Sequence, residues 1–184
     1  LQKLQNPQII GRPLTIEMVK HRVEDLYHGA SKKLKTIYIK DIQQKFKLGA
    51  FTLSFFQIDH TIMDAVGVTL ETPVATVIHP GDWTLEKSST GEKVLTYTHL
   101  AKLKRPTILM LEALGSTNSK KPVTQEEMLS NLYRLMSDAP GRTIIATFSS
   151  QIERIKQILE FAAKTNRKVA LDGFSMKLNI ELAT

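Results

Sequence analysis

The 184-residue chain carries 25 Lys and Arg against 18 Asp and Glu, has no cysteine, and is 42% hydrophobic and 23% charged. That balance is too apolar for a disordered chain, and the absence of thiols excludes a disulfide scaffold, a thiolate zinc finger, an iron–sulfur protein and a cysteine hydrolase. No apolar run approaches the roughly 18 residues of a membrane span and nothing at the start resembles a signal peptide, so a cytoplasmic protein with no membrane partner is expected. The length fits one domain of moderate size or two small ones.

The net charge of +7 is unevenly spread: residues 1–60 hold ten basic and five acidic side chains, residues 61–112 five and six, and residues 113–184 ten and seven. A basic chain with a locally acidic middle suits nucleic acid held around a cation site, and equally suits Lys-rich solvated faces.

The chain opens on Leu1 in LQKLQNPQIIGRPLT, without a capping or initiation signature, and reads as a piece of something longer. Ile16, Val19, Val23, Leu26 and Tyr27 recur at helical spacing, which predicts a helix from Thr15 to about Tyr27 stopped by His28 and Gly29. Thr36 to Ile39 reads as a strand and Lys47-Leu48-Gly49 as a turn. Strands follow at Phe51–Ile58, Val66–Thr72 and Val74–Ile78, the last two forming a hairpin about Thr72-Pro73. Residues 84–104 are polar, and the apolar run Ile108 to Leu111 predicts a buried strand.

The rhythm then becomes helix, strand, helix. Thr124 and Glu127 form a T-x-x-E capping box for a helix through Met128, Leu132, Leu135 and Met136, ended by Pro140-Gly141. Thr143–Thr147 reads as a strand, Ile152 to Ala162 as a helix, Val169–Leu171 as a strand and Phe174 onward as a helix. That alternation indicates a βαβ-type back half behind a strand-rich front.

Among five histidines, His60 stands directly after an apolar strand in the loop DHTIMD, and Asp82 ends the next hairpin in HPGDW. Loops held by a rigid sheet are where ligands are usually presented, and imidazole with carboxylate suits zinc or manganese. Taken alone, two ligands do not make a site, and the pair reads first as a loop His and a turn Asp.

Five collinear stretches carry a resemblance. FTLSFFQIDHTIMDAVGVTLETPVATVIHPGDW resembles the strand, His-Ser/Thr-Ile-x-Asp, hairpin and His-x-Gly-Asp of the ribonuclease J family of β-CASP metallo-β-lactamase nucleases. NPQIIGRPLTIEMVKHRVED, GSTNSKKPVTQEEM, GRTIIATFSSQIERIKQI and RKVALDGFSMKLNIELA are similar to further stretches of that family in matching order. The resemblance implies an α/β fold: part of a metallo-β-lactamase αββα sandwich over residues 1–111, then the first part of a β-CASP βαβ domain over 112–184.

By the same resemblance His60 is a metal ligand and Asp82 a bridging carboxylate. Asp64 is a supporting or loop-fixing group, or a simple helix cap, and His79 supports the loop. The acid that opens the β-CASP insert is Glu112, at the end of the apolar run; a gapless match would put Gly115 there and bury Glu112, and a surface Glu at a strand end is the plain alternative. Ser149 and Ser150, before a helix, are a phosphate cradle or N-caps. Phe174 stands where the family has Arg, and the family's His-x-His-x-Asp-His motif is not in this sequence.

The implied activity is two-metal phosphodiester hydrolysis of single-stranded RNA, both exo- and endonucleolytic, with two Zn²⁺ per site or Mn²⁺ in their place. The implied RNA-processing parent is a homo-oligomer with RNA in a basic channel, while the 184-residue chain itself is expected to be inactive. A non-catalytic β-CASP protein that binds RNA or assembles with a partner enzyme is the alternative. A small-ester hydrolase of the lactamase type is disfavoured by the βαβ pattern.

Overall fold

The computed structural model describes residues 7–60, 62–84, 95–103, 106–117 and 123–183. Thr61, Asn118 and Pro122, named in the family-like stretches, and the polar residues 85–94 lie outside the described residues.

The chain begins with a small strand–helix–strand unit. β1 (Ile9–Gly11) and β2 (Thr36–Tyr38) pair in parallel, joined through α1 (Pro13–Leu26). Pro13 starts α1 two residues ahead of the expected Thr15, because its fixed φ and missing N–H suit a first helical position. Ile16 turns inward from α1 and is fully buried. β1 was not expected: three residues make a strand only when a partner supplies their hydrogen bonds, and that partner is 27 positions away.

Beyond α1 the chain is tied back by one carboxylate. Glu24 accepts hydrogen bonds from the Ser31 hydroxyl, the Gly29 N–H at 2.7 Å and the Ser31 N–H at 3.2 Å. Led by the Ser31 hydroxyl, these donors hold its carboxyl down at about 2.

The main sheet has five strands in the order β3 (Phe46–Leu48), β4 (Phe51–Gln57), β5 (Val66–Glu71), β6 (Thr76–His79) and β7 (Thr107–Leu109). Lys47 and Leu48, expected in a turn, are strand; the turn is Gly49-Ala50, where Gly49 supplies the φ of 63° a two-residue hairpin needs. The β5–β6 hairpin turns at Thr72-Pro73 as expected, its hydroxyl accepting from the N–H groups of Val74 and Ala75 and donating to the Ala75 carbonyl.

β7 corrects a second expectation. Ile108 to Leu111 is an exposed edge rather than a buried strand: among the described residues it pairs only with β6, and Ile108 keeps 53% of its surface.

Phe56, Ile58 and Ile78 form the buried heart of this sheet, with Ala65, Trp83, Tyr97, Leu100 and Leu103 packed on it. Phe56 lies over Gly67, its register partner on β5, where a Cβ would fall 2.3 Å from the ring.

The back half is helical. α2 (Gln125–Asp138) starts at Thr124, whose hydroxyl accepts from the Glu127 N–H at 3.1 Å, one half of the expected capping box. α3 (Ile152–Lys164) packs on α2, and α4 (Phe174–Ala183) packs on α3 and α1.

The expected strands Thr143–Thr147 and Val169–Leu171 do not form: neither has a hydrogen-bonded strand neighbour among the described residues. They run without regular secondary structure beside a cavity of about 500 Å³ bordered by Met136 of α2 and one face of α3. A parallel strand needs neighbours and cover on both faces, whereas Ile144 is 89% and Phe148 74% exposed. The parallel strand–helix–strand unit therefore stands at the front of the chain, and the αββα sandwich is not among the described elements.

Two outcomes follow. Gly67→Ala should destabilise the fold by about 1–3 kcal/mol through overpacking, and by less in a Phe56→Leu background; urea unfolding of the single and double variants measures this. Glu24→Gln should lower the urea midpoint at neutral pH. Because the native carboxyl is depressed to about 2, that deficit is full above the ordinary Glu range and fades as pH falls through about 2.

Candidate metal centre at one sheet edge

β4 and β6 each pair antiparallel with β5, and β7 is parallel to β6. The C-terminal ends of β4, β6 and β7 therefore emerge at one edge. His60, Asp82 and Glu112 each follow by three residues the last residue of these strands, Gln57, His79 and Leu109.

Hydrogen bonds knit the three loops together. Thr84 donates its N–H to the Asp59 carbonyl at 2.7 Å and its hydroxyl to the same oxygen at 3.0 Å. The Trp83 N–H donates to Glu112 Oε1 at 3.3 Å. The Asp82 loop thus touches the His60 loop on one side and Glu112 on the other. Trp83 packs edge-on against Tyr97 at 5.7 Å, and Tyr97 against Phe56 at 6.2 Å, so the loops stand on the sheet core.

His60 is half-buried and its Nδ1 is enclosed without a hydrogen-bond partner among the described residues. An unsatisfied buried polar atom costs about 1–3 kcal/mol, and a cation or donor at that nitrogen would remove the cost. Asp82 is exposed, in a turn allowed by Gly81 at φ 76°. His79 Nδ1 accepts from the Gly81 N–H at 3.0 Å, which fixes that turn and leaves the neutral ring's proton on Nε2.

Glu112 lies outside β7, and Gly115 sits farther on in a turn at φ 74°. Burial raises the Asp59 carboxyl above its ordinary range; it also raises the Tyr97 phenol, with the Asp59 charge adding to the effect. Among the described residues no three His, Asp or Glu side chains stand close enough together to hold a metal ion. The edge gathers donors from three loops without completing a ligand set.

The remaining expected residues lie apart from these contacts. No helix starts at Asp64, which takes a left-handed φ of 59° in a turn and pairs with Arg12 at 3.3 Å. Ser149 and Ser150 are not N-caps, because the cap of α3 is Gln151. The Ser149 carbonyl and hydroxyl accept from Asn179 Nδ2 at 3.0 and 3.3 Å. Both serines border a cavity of about 290 Å³ with His21 and Arg22 of α1 and Ser175 of α4.

Sequence reasoning passed over Asp59, Trp83 and Arg12. For Asp59 the signal was its position beside His60; for the other two, whose partners lie 29 and 52 positions away, none existed.

If His79 holds the Asp82 turn, His79→Ala should speed amide exchange at Gly81 at least several-fold, at a stability cost of about 1 kcal/mol or less. NMR-detected exchange with a urea titration checks both.

Residues 140–184 match the family "Ribonuclease J, beta-CASP domain". Over 174 residues the chain is 34% identical to Ribonuclease J of Thermus thermophilus, covering 91% of this chain and 30% of that protein. Ribonuclease J of Helicobacter pylori is 29% identical over 99% of this chain and 26% of its own length. Ribonuclease J2 of Bacillus subtilis is 26% identical over 100% of this chain and 33% of its own. The chain spans about 30% of the length of such relatives. A crystal structure of a protein of unknown function from Enterococcus faecalis superposes with a TM-score of 0.63 at 18% identity, covering 93% of this chain and 42% of that one, a likeness of fold. No helix among the described residues is long and apolar enough to cross a membrane. With these matches in sequence order from end to end, the chain is ribonuclease J-like over nearly its whole length.

Proposed function

We propose that the chain is part of a metal-dependent ribonuclease that hydrolyses single-stranded RNA, exo- and endonucleolytically, with two zinc ions or manganese in their place. The observation that supports this reading is the shared sheet edge, with His60 Nδ1 buried and unpartnered beside loops carrying Asp82 and Glu112. A free imidazole nitrogen and an exposed carboxylate are donors suited to zinc, so the residues present fit one side of such a centre. On this reading 1–111 is the metallo-β-lactamase portion and 112–184 the β-CASP portion of a cytoplasmic, homo-oligomeric enzyme.

His60 and Asp82 would hold the metal. Bound zinc supplies Lewis acidity and a water that ionises near neutral pH. The chain's own residues do the rest. His79 fixes the turn that presents Asp82. Glu112, which accepts from the Trp83 N–H, would be the carboxylate that takes up a proton. Ser149 and Ser150 offer hydroxyls to a phosphate beside Arg22. The net charge of +7 draws the RNA backbone, so binding should weaken steeply with salt.

A catalytic zinc needs about three protein ligands besides its water, and this edge offers His60 and Asp82. The 184-residue chain should therefore bind single-stranded RNA weakly, in a salt-dependent way, and not cleave it with added Zn²⁺ or Mn²⁺. The assay is run beside His60→Ala. Metal-dependent cleavage that the variant loses would contradict the ligand count; RNA binding insensitive to salt would contradict the phosphate-based reading.

A further inference from the structure

One side chain from outside the main sheet reaches the loop that carries His60. At the loop's base the Ile58 N–H donates to the Ala65 carbonyl at 3.3 Å, and on its Asp82 side Thr84 holds Asp59. Its far limb ends at Asp64, in the left-handed conformation that non-glycine residues seldom adopt. There Arg12 NH2 meets Asp64 Oδ1 at 3.3 Å. The guanidinium is already fixed: its NH1 donates to the carbonyls of Ile39 at 2.8 Å and Lys40 at 3.1 Å, just past β2, and Arg12 is itself the N-cap of α1.

We infer that Arg12 is a positioning residue for the His60 loop. It anchors Asp64 to the β1–α1–β2 unit, so that the loop is clamped at its base, on its Asp82 side and on its far limb. An exposed ion pair is usually weak because two long side chains must be ordered. Here the Arg12 side chain is only 19% exposed and held by two carbonyls, so most of that ordering is done before Asp64 arrives. The inference gives the pair a function toward the metal centre only if the metal reading above holds; the clamping of the loop stands apart from it.

The test uses the full 184-residue chain and Asp64→Asn, which keeps a small polar side chain tolerant of the left-handed conformation while removing the charge, together with Arg12→Gln and the double variant. Amide exchange across residues 58–65 should rise about three- to tenfold in each single variant and no further in the double. In Asp64→Asn the thermal midpoint should stay unchanged, and exchange within β4 and β5 should stay unchanged in both single variants; Arg12→Gln also loses its bonds to the Ile39 and Lys40 carbonyls, so its midpoint is not the readout. Loop exchange equal to that of the parent chain, additive losses in the double variant, or a fall in the thermal midpoint of Asp64→Asn matching its exchange increase would each overturn the inference. Zinc binding, followed by competition with a chromogenic chelator, separates the two claims. If His60→Ala binds zinc as the parent does, the metal reading fails while the exchange data still decide the clamp. If His60→Ala loses zinc, Asp64→Asn should weaken it about tenfold.

Discussion

The antiparallel pairing of β4, β5 and β6 is the constraint on which the rest depends. Two antiparallel steps return the chain to its first direction, and the parallel addition of β7 keeps it. Three strand ends thereby reach one edge, and three loops with chemically useful side chains follow them. The Phe56 ring over Gly67 makes this pairing specific, because a register slip would set a side chain against the ring. Packing in the sheet core and presentation at its edge are one arrangement.

How much of this was legible in the sequence varies with the range of the interactions. The β5–β6 hairpin and all four helices were readable because their signals are local: a Thr-Pro turn, a T-x-x-E cap, apolar residues at helical spacing. The edge positions of His60 and Asp82 followed from strand order alone. What failed was non-local. β1 exists through a partner in β2; Ile108 to Leu111 is apolar, but burial requires something to cover it; Thr143–Thr147 and Val169–Leu171 have strand-like composition without strand neighbours.

The candidate centre shows the same division. Their places at predicted strand ends and the resemblance pointed to His60 and Asp82, but nothing in the sequence pointed to the His60 Nδ1 left without a partner among the described residues, the hold of Glu112 on the Trp83 N–H or the reach of Arg12 to Asp64. These contacts give the edge its character: one imidazole nitrogen without a partner among the described residues, and carboxylates at neighbouring loops. Loops of this kind are held from outside, by rigid elements that place them.

The central claim is that His60, Asp82 and Glu112 share one cation-attracting edge. The most direct measurement is paramagnetic broadening of backbone amides in the 184-residue chain on titration with substoichiometric Mn²⁺. Weak binding suffices for that measurement. The account predicts that amides near residues 58–60, 81–84 and 110–113 broaden together and that all three sets sharpen again in His60→Ala. Broadening of only one of the three, or broadening of all three that His60→Ala leaves unchanged, would contradict it.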